Sequence, residues 1–246
     1  MQVIMEEYLN IEMRGNYAVI EFFHPSHNSL HSWLLDKLSK AINDLEKEKS
    51  INCILLKSGG NRTFCAGANF DEMKSISNFD EGKKFFSGFG KVIQSMKKSS
   101  KIIVGRIQGK AVGGGVGIIA ACDIAFATKF ASIRLSELSI GIGPFVIEPA
   151  VTRKLGISGF SELTLKPLEW KDALWVKNKG LFSEVFETTE LLDEYVEKYI
   201  KALSSYSPVA IREIKRMLWH GTENWDSLME KRAEISGELA MKNYRS

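Results

Sequence analysis

Apolar positions along the chain follow two alternating rhythms. Tyr8–Arg14 and Tyr17–Phe23 read as two strands joined by a tight turn at Gly15–Asn16. Leu34, Leu35, Leu38, Ala41, Ile42 and Leu45 recur at helical spacing and predict an amphipathic helix from about Ser32 to Lys49. Asn52–Leu56, Ile102–Ile107 and Ile124–Ala127 are short apolar runs, the pattern of strands buried on both faces. Between the first two, Phe85, Phe86, Phe89, Val92, Ile93 and Met96 fit a second helix, and Gly113–Gly117 breaks the chain before an apolar third. Strand–helix–strand repetition of this kind implies an α/β fold with right-handed crossovers and a sheet flanked by helices.

The rhythm changes from Glu169 onward. Helical stretches are expected at Trp170–Asn178, Thr189–Ser204 and Pro208–Asn243, the last broken near Gly221. The division this implies is a core over residues 1–188 and a helical segment over 189–246. That segment packs on its own core or on a neighbouring subunit. The chain shows no repeats or linkers.

Composition narrows the functional classes. In a chain of 246 residues, 33 Lys and Arg face 30 Asp and Glu, so a nucleic-acid partner has no support, although a small positive excess suits an anionic small molecule. The three cysteines, Cys53, Cys65 and Cys122, lie far apart among apolar or glycine residues and read as reduced core thiols. No His or Cys falls at metal-ligand spacing, so no metal is expected. Charges at Glu6, Glu7, Glu12 and Arg14 argue against a signal peptide, and no apolar run reaches the roughly 20 residues that span a bilayer. The expectation is a cytoplasmic protein with no membrane contact.

Two glycine-rich turns carry the chemistry. Gly113–Gly114–Gly115–Val116–Gly117 fails the dinucleotide fingerprint because Ile118 stands where its third glycine belongs. Gly105 to Lys110 is one residue short of a phosphate-binding loop, and Ala111 follows where that motif needs Ser or Thr. What remains is a tight strand-to-helix turn, or a bare backbone that lets a ligand oxygen approach N–H groups at a helix start. Phe64–Cys65–Ala66–Gly67–Ala68–Asn69 offers a second such turn. Two loops at the ends of two strands can each point an N–H at one oxygen, forming an oxyanion hole.

These segments resemble those of the enoyl-CoA hydratase/isomerase (crotonase) superfamily. Phe64–Met73 is similar to its F-x-A-G-A-D-[IL]-x-E-[ML] block and Gly109–Thr128 to its G-x-A-x-G-G-G-x-E-[LI]-x-x-x-C-D block. Ala131–Pro144 is similar to A-x-F-x-x-P-E-x-x-x-G-x-x-P, and Asn28–Ser29–Leu30 to the N-A-[LM] before the first helix. The resemblance implies a spiral of ββα repeats with a C-terminal trimerisation segment, assembled as a homotrimer or hexamer. It also implies an acyl-CoA thioester as ligand, with no separate cofactor because coenzyme A is part of the substrate. By position, the oxyanion hole falls to the N–H groups of Ala66 and Gly114. Ser29, Leu30, Phe64, Ala68 and Gly113 fall on the ligand side. Phe145, on the loop past the third block, is a substrate-contact candidate whose alternative is packing.

The departures matter more than the matches. The family's hydratases carry one Glu after the triple glycine and another in the third block; here the second is Glu137 and the first position is Gly117. Water addition across a double bond wants two groups, whereas moving a proton between C4 and C2 needs one base beside a stabilised enolate. Glu137 is therefore read as a lone acid/base with a raised pKa. Asp71, Glu72 and Glu148 are other acids within reach, Glu148 the foremost. The expectation is a hydratase/isomerase-type enzyme working through an enolate. The alternatives are a non-catalytic acyl-CoA-binding subunit and a dehydratase of acyl-carrier-protein thioesters.

Overall fold

A computed structural model describes residues 6–244. In chain order it places β1 (Tyr8–Arg14), β2 (Tyr17–Phe23), α1 (Ser32–Leu45), β3 (Cys53–Ser58), β4 (Thr63–Cys65), α2 (Phe70–Lys74) and α3 (Phe79–Lys98). Next come β5 (Ile102–Ile107), β6 (Lys110–Val112), α4 (Gly114–Ala121), β7 (Ile124–Thr128) and β8 (Ser132–Arg134). After a 3-10 turn at Glu137–Ile140 follow α5 (Glu148–Leu165), β9 (Lys171–Asp172), α6 (Ala173–Asn178), β10 (Glu184–Phe186), α7 (Thr189–Ser204), α8 (Pro208–Leu218) and α9 (Trp225–Tyr244).

Six strands form one sheet in the order β1-β2-β3-β5-β7-β10, antiparallel between β1 and β2 and parallel from β2 onward. The sequence of β5 is buried at every position, as a strand covered on both faces must be. β1 sits at the edge and is largely exposed; its Glu12 and Arg14 blunt the open side. A second, four-stranded sheet runs β4-β6-β8-β9. The chain leaves each of β3 and β5 at its C-terminal end to make a short strand of the second sheet, so the two glycine turns come together between the sheets. That is where an α/β fold receives ligands.

The helical tail is tied to this core by one buried charge. Asp123 accepts from the Ile103 N–H at 2.7 Å, from Trp219 Nε1 at 2.7 Å and from Lys215 Nζ at 2.6 Å. The Asp123 and Lys215 side chains are 2% and 3% exposed. The Asp of the second motif block thus holds α8 on the sheet. α9 crosses α3 so closely that a Cβ on Gly82 would stand 3.0 Å from Gly237 Cα. Among the described residues, no helix is long and apolar enough to cross a membrane.

The structure adds elements that the apolar rhythm did not show: β4, β6, β8, β9 and β10 are two or three residues long. Runs that short carry no readable alternation. The expected helix from Trp170 starts at Ala173, capped by Asp172, because Lys171–Asp172 pairs with β8. The break near Gly221 stands: that residue has φ +80°, a left-handed angle suited to glycine, between α8 and α9.

Candidate active site

A cavity of about 360 Å³ lies between the Ala66–Ala68 turn, the Gly113–Gly114 turn, α2, α3 and the loop after Glu137. Most of its wall is apolar, including Phe70, Met73, Phe86, Phe89, Ile142 and Phe145. Size and lining suit an acyl group with a few placed polar atoms.

Hydrogen bonding decides which backbone groups are free to meet a ligand. Leu30 N–H donates to Gly67 O at 2.8 Å and Asn69 N–H donates to Leu30 O at 3.1 Å, pairing residue 30 in parallel with Ala68. In such a pair the N–H of Ala68 itself faces the other way, into the cavity, and it has no acceptor within the described residues. The Gly114 N–H, at the first position of α4, likewise has none. The turns abut: a Cβ on Gly67 would lie 2.9 Å from Val112 O and 3.6 Å from the Gly114 nitrogen.

This corrects the expectation for Ala66. Its N–H donates to His27 O at 3.2 Å and cannot also hold a ligand oxygen. The available donor lies two residues on, at Ala68. The pairing of residue 68 with residue 30 decides the matter, and a contact between distant segments leaves no local mark in sequence.

Gly113 has φ +52° and ψ −120°, a conformation that requires glycine, and Glu137 Oε1 stands 2.7 Å from where its Cβ would be. The carboxylate is therefore packed against the Gly113–Gly114 turn. Glu137 Oε2 is enclosed and has no hydrogen-bond partner. Burial pushes the carboxyl up to about 7, offset slightly by a backbone hydrogen bond. An acid that exchanges its proton near neutrality, beside free N–H groups, can shuttle protons at a thioester's α or γ carbon.

Among the described residues, no other carboxylate lines the cavity. Where the family's hydratases carry their first Glu, Gly117 leaves no room for one: a Cβ there would lie 2.5 Å from Ile147 Cγ2 and 2.7 Å from its Cβ. The candidate acids are engaged elsewhere or exposed. Glu148 contacts Arg232 and accepts from Thr152 Oγ1 at 2.8 Å. Glu72 accepts from the Ser32 N–H at 2.9 Å and so caps α1. Asp71 is exposed at the start of α2.

The remaining ligand-side candidates divide. Ala68, Gly113 and Phe145 line the cavity. Leu30 and Phe64 are buried in the core, Phe64 edge-on to Phe22, and neither lines it. Ser29 is buried too, its hydroxyl 3.4 Å from both Asn69 Nδ2 and His24 Nδ1. Their side chains build the turn and do not touch the cavity. Sequence reasoning missed Ile147, Arg134 and Ser236, all cavity residues. Arg134 stacks on Trp170 at 4.6 Å, and its Nε is buried without a partner. A charged residue in the third block was a signal open to reading; Ser236, on a remote helix, offered none.

Sequence spacing pointed to no metal, yet Glu7, His24 and His31 bring possible ligand atoms within 4.8 Å of one another. His24 Nδ1 accepts from the Ser26 N–H at 3.1 Å, so the neutral ring carries its proton on Nε2, 3.1 Å from Glu7 Oε2. Burial, then His31, holds the His24 pKa below the usual range. That tautomer donates to Glu7 and presents no lone pair to an ion.

Fold and site together define a crotonase-type enzyme. The chain belongs to the enoyl-CoA hydratase/isomerase family, whose profile matches residues 12–240. It is 29% identical over 233 residues to the short-chain-enoyl-CoA hydratase of Clostridium acetobutylicum, covering 93% of this chain and 87% of that one. It is 25% identical over 240 residues to the peroxisomal Delta(3,5)-Delta(2,4)-dienoyl-CoA isomerase of Arabidopsis thaliana, covering 89% and 84%. The crystal structure of enoyl-CoA hydratase from Bacillus halodurans superposes with a TM-score of 0.85 at 23% identity, over 97% of this chain and 96% of that one.

Proposed function

We propose that this enzyme moves the double bond of an unsaturated acyl-CoA thioester between C3–C4 and C2–C3, with Glu137 as its single acid/base. The observation that carries this reading is that Glu137 is the sole carboxylate among the described residues that lines the cavity, while Ile147 occupies the space beside Gly117. Starting from the 2-enoyl thioester, Glu137 takes a proton from C4. The C4–H electron pair becomes the C3–C4 double bond, the C2–C3 pair moves to C1–C2, and the C=O pair moves onto the thioester oxygen, giving a dienolate. The N–H groups of Ala68 and Gly114 hold that oxygen, aided by the positive end of α4. The same carboxyl then delivers the proton to C2 as the C=O bond re-forms, leaving the double bond between C3 and C4. In the reverse sense it takes the proton from C2, passes through the same dienolate and delivers the proton to C4, leaving the double bond between C2 and C3. No water, oxidant or second acid enters the balance.

The test compares migration of the double bond in 3-enoyl-CoA with hydration of 2-enoyl-CoA, using the purified protein. Migration faster than hydration supports the reading; hydration that outruns migration overturns it in favour of the activity named for the Clostridium relative. Trimer or hexamer assembly is part of the same proposal. Ile157, Leu165, Leu168 and Leu174 are 68%, 72%, 71% and 63% exposed, an apolar surface that neighbouring copies would cover. Sedimentation as a monomer at micromolar concentration would refute it.

A further inference from the structure

The cavity that starts at the two N–H groups ends on the chain's own last helix. Ser236, in α9, lines it and is 1% exposed. Around it, Met73, Phe85 and Ile142 pack with Ala240, and Ala68, Phe86, Ile140 and Leu239 pack against them. The wall on that side is therefore apolar except for one hydroxyl, and that hydroxyl donates to Arg232 O at 3.0 Å, one helical turn back. A hydroxyl satisfied within its own helix makes no polar demand on a ligand tail. What it contributes is smallness, since any longer side chain would project into the cavity.

The wall is also held in place. Gly82 and Gly237 let α3 and α9 touch backbone to backbone, with 3.0 Å between a Cβ on Gly82 and Gly237 Cα. Lys83 on α3 donates to Glu230 at 3.0 Å and Glu234 at 2.7 Å on α9. Arg232 donates to Phe145 O at 3.3 Å and contacts Glu148, so α9 is tied to the loop on the cavity's other side. Helix and loop form one frame, and residue 236 lies in it as part of the cavity wall.

We propose that Ser236 sets the length of acyl chain this enzyme accepts, and that its substrates are thioesters of medium-length acyl groups. The proposal rests on reading the cavity as an acyl-CoA site. Volume gives the scale: a cavity of about 150 Å³ holds benzene, so the 360 Å³ here takes roughly fourteen carbon-sized atoms. With the thioester's carbon, oxygen and sulfur included, the chain is on the order of ten carbons.

Calorimetry with acetyl-, hexanoyl- and decanoyl-CoA, which cannot react, tests this on the full-length protein. Each buried methylene changes affinity about 4-fold. Wild-type affinity should climb from acetyl to decanoyl. Ser236→Leu, which fills the space of about two methylenes, should weaken decanoyl-CoA about 15-fold and leave acetyl-CoA within 2-fold. Ser236→Ala should match wild type at every length. Equal loss at all lengths, no loss with decanoyl-CoA, or no binding of any of the three overturns the proposal. If Ser236→Leu does not fold, the wild-type series decides alone: affinity that is flat with length, or still rising beyond dodecanoyl-CoA, overturns it. Length-dependent binding with no turnover of any enoyl thioester sinks the isomerase reading and leaves the length gate standing. Double-bond migration that Ser236→Leu leaves unchanged at every length sinks only the gate.

Discussion

Two acids lie deep in this protein, and their surroundings are opposite. Asp123 receives a backbone N–H, an indole N–H and an ammonium, three donors within 2.7 Å. Glu137 has an enclosed oxygen with no donor, and burial lifts its pKa to about 7. A buried carboxylate that is fully satisfied fastens the fold, here joining β5, α8 and Trp219. One denied its partners holds its proton near neutrality and can pass it on. Both sit in family motif blocks and both read as acids in the sequence; only the donors around them separate the structural role from the chemical one.

The largest effect expected is on Glu137 itself. Glu137→Gln keeps the shape and removes the exchangeable proton, so migration of the double bond should fall about 100- to 10,000-fold. Binding of a saturated acyl-CoA should change little, which calorimetry can check. Full turnover in this variant would end the assignment. At Asp123 the loss should be in stability. Asp123→Asn leaves the buried Lys215 without its counter-ion, so unfolding in urea should show a cost of about 3–5 kcal/mol. A soluble variant with wild-type stability would mean that the pair contributes nothing net.

Gly114 comes next. A Cβ there would lie 2.3 Å from the Phe89 ring, so even Gly114→Ala must displace the aromatic wall or the turn. Losing one oxyanion donor costs about 100- to 1000-fold in turnover. Gly114→Ala should reach the lower part of that range, and Gly114→Val is expected not to fold. The same geometry removes a simple route to a second acid. Gly117→Glu would collide with Ile147, so the variant should lose stability before any hydration could be gained. Pairing it with Ile147→Gly makes the space, and hydration that rises only in the double variant would isolate Ile147 as the residue that excludes a second carboxylate.

How far the sequence went can be read from these residues. The large sheet was legible because β2, β3, β5 and β7 are continuous apolar runs, and α1, α3 and α7 because their apolar stripes are long. Glu137 was legible because its motif surrounds it. The sequence pointed to the N–H of Ala66, whereas the N–H left without an acceptor among the described residues is that of Ala68, since the fate of each N–H depends on whether residue 30 or residue 27 lies opposite. Ile147 filling the gap at Gly117, and Ser236 lining the cavity, are meetings of segments more than 25 residues apart in the chain. Local pattern has no means of expressing them.

Acidity supplies a subtler test of the two-acid contrast. For Glu137 the folded value of about 7 stands above the ordinary 4.5. Below about pH 4.5 the carboxyl is protonated whether folded or not, and the difference vanishes. Between 4.5 and 7 the unfolded chain ionises while the folded one does not, so stability falls as pH rises, then levels off. Glu137→Gln escapes this loss; its gain over wild type should grow from nothing near pH 4 to about 3 kcal/mol at pH 8. Turnover of the wild type should move the other way, rising through about pH 7 as the base form appears.

The smallest effect belongs to Glu148, and it is the one on which the single-base reading depends most finely. Its position just past the cavity loop made it the natural replacement for the acid missing at Gly117. In the folded chain it contacts Arg232, accepts from Thr152 and stays outside the cavity. Glu148→Gln keeps the side chain's length and much of its hydrogen bonding, so turnover should stay within about 2-fold of wild type. Stability should drop by about 1 kcal/mol, the range of a partly exposed ion pair. Arg232→Met should reproduce that loss, because either change releases the tie between α9 and the cavity loop. Hydration in the wild type that disappears in Glu148→Gln, yet survives in Arg232→Met, would show Glu148 turning inward once its partner is gone. The protein would then have two working acids, and the contrast between a fastening carboxylate and a reacting one would have to be drawn around both.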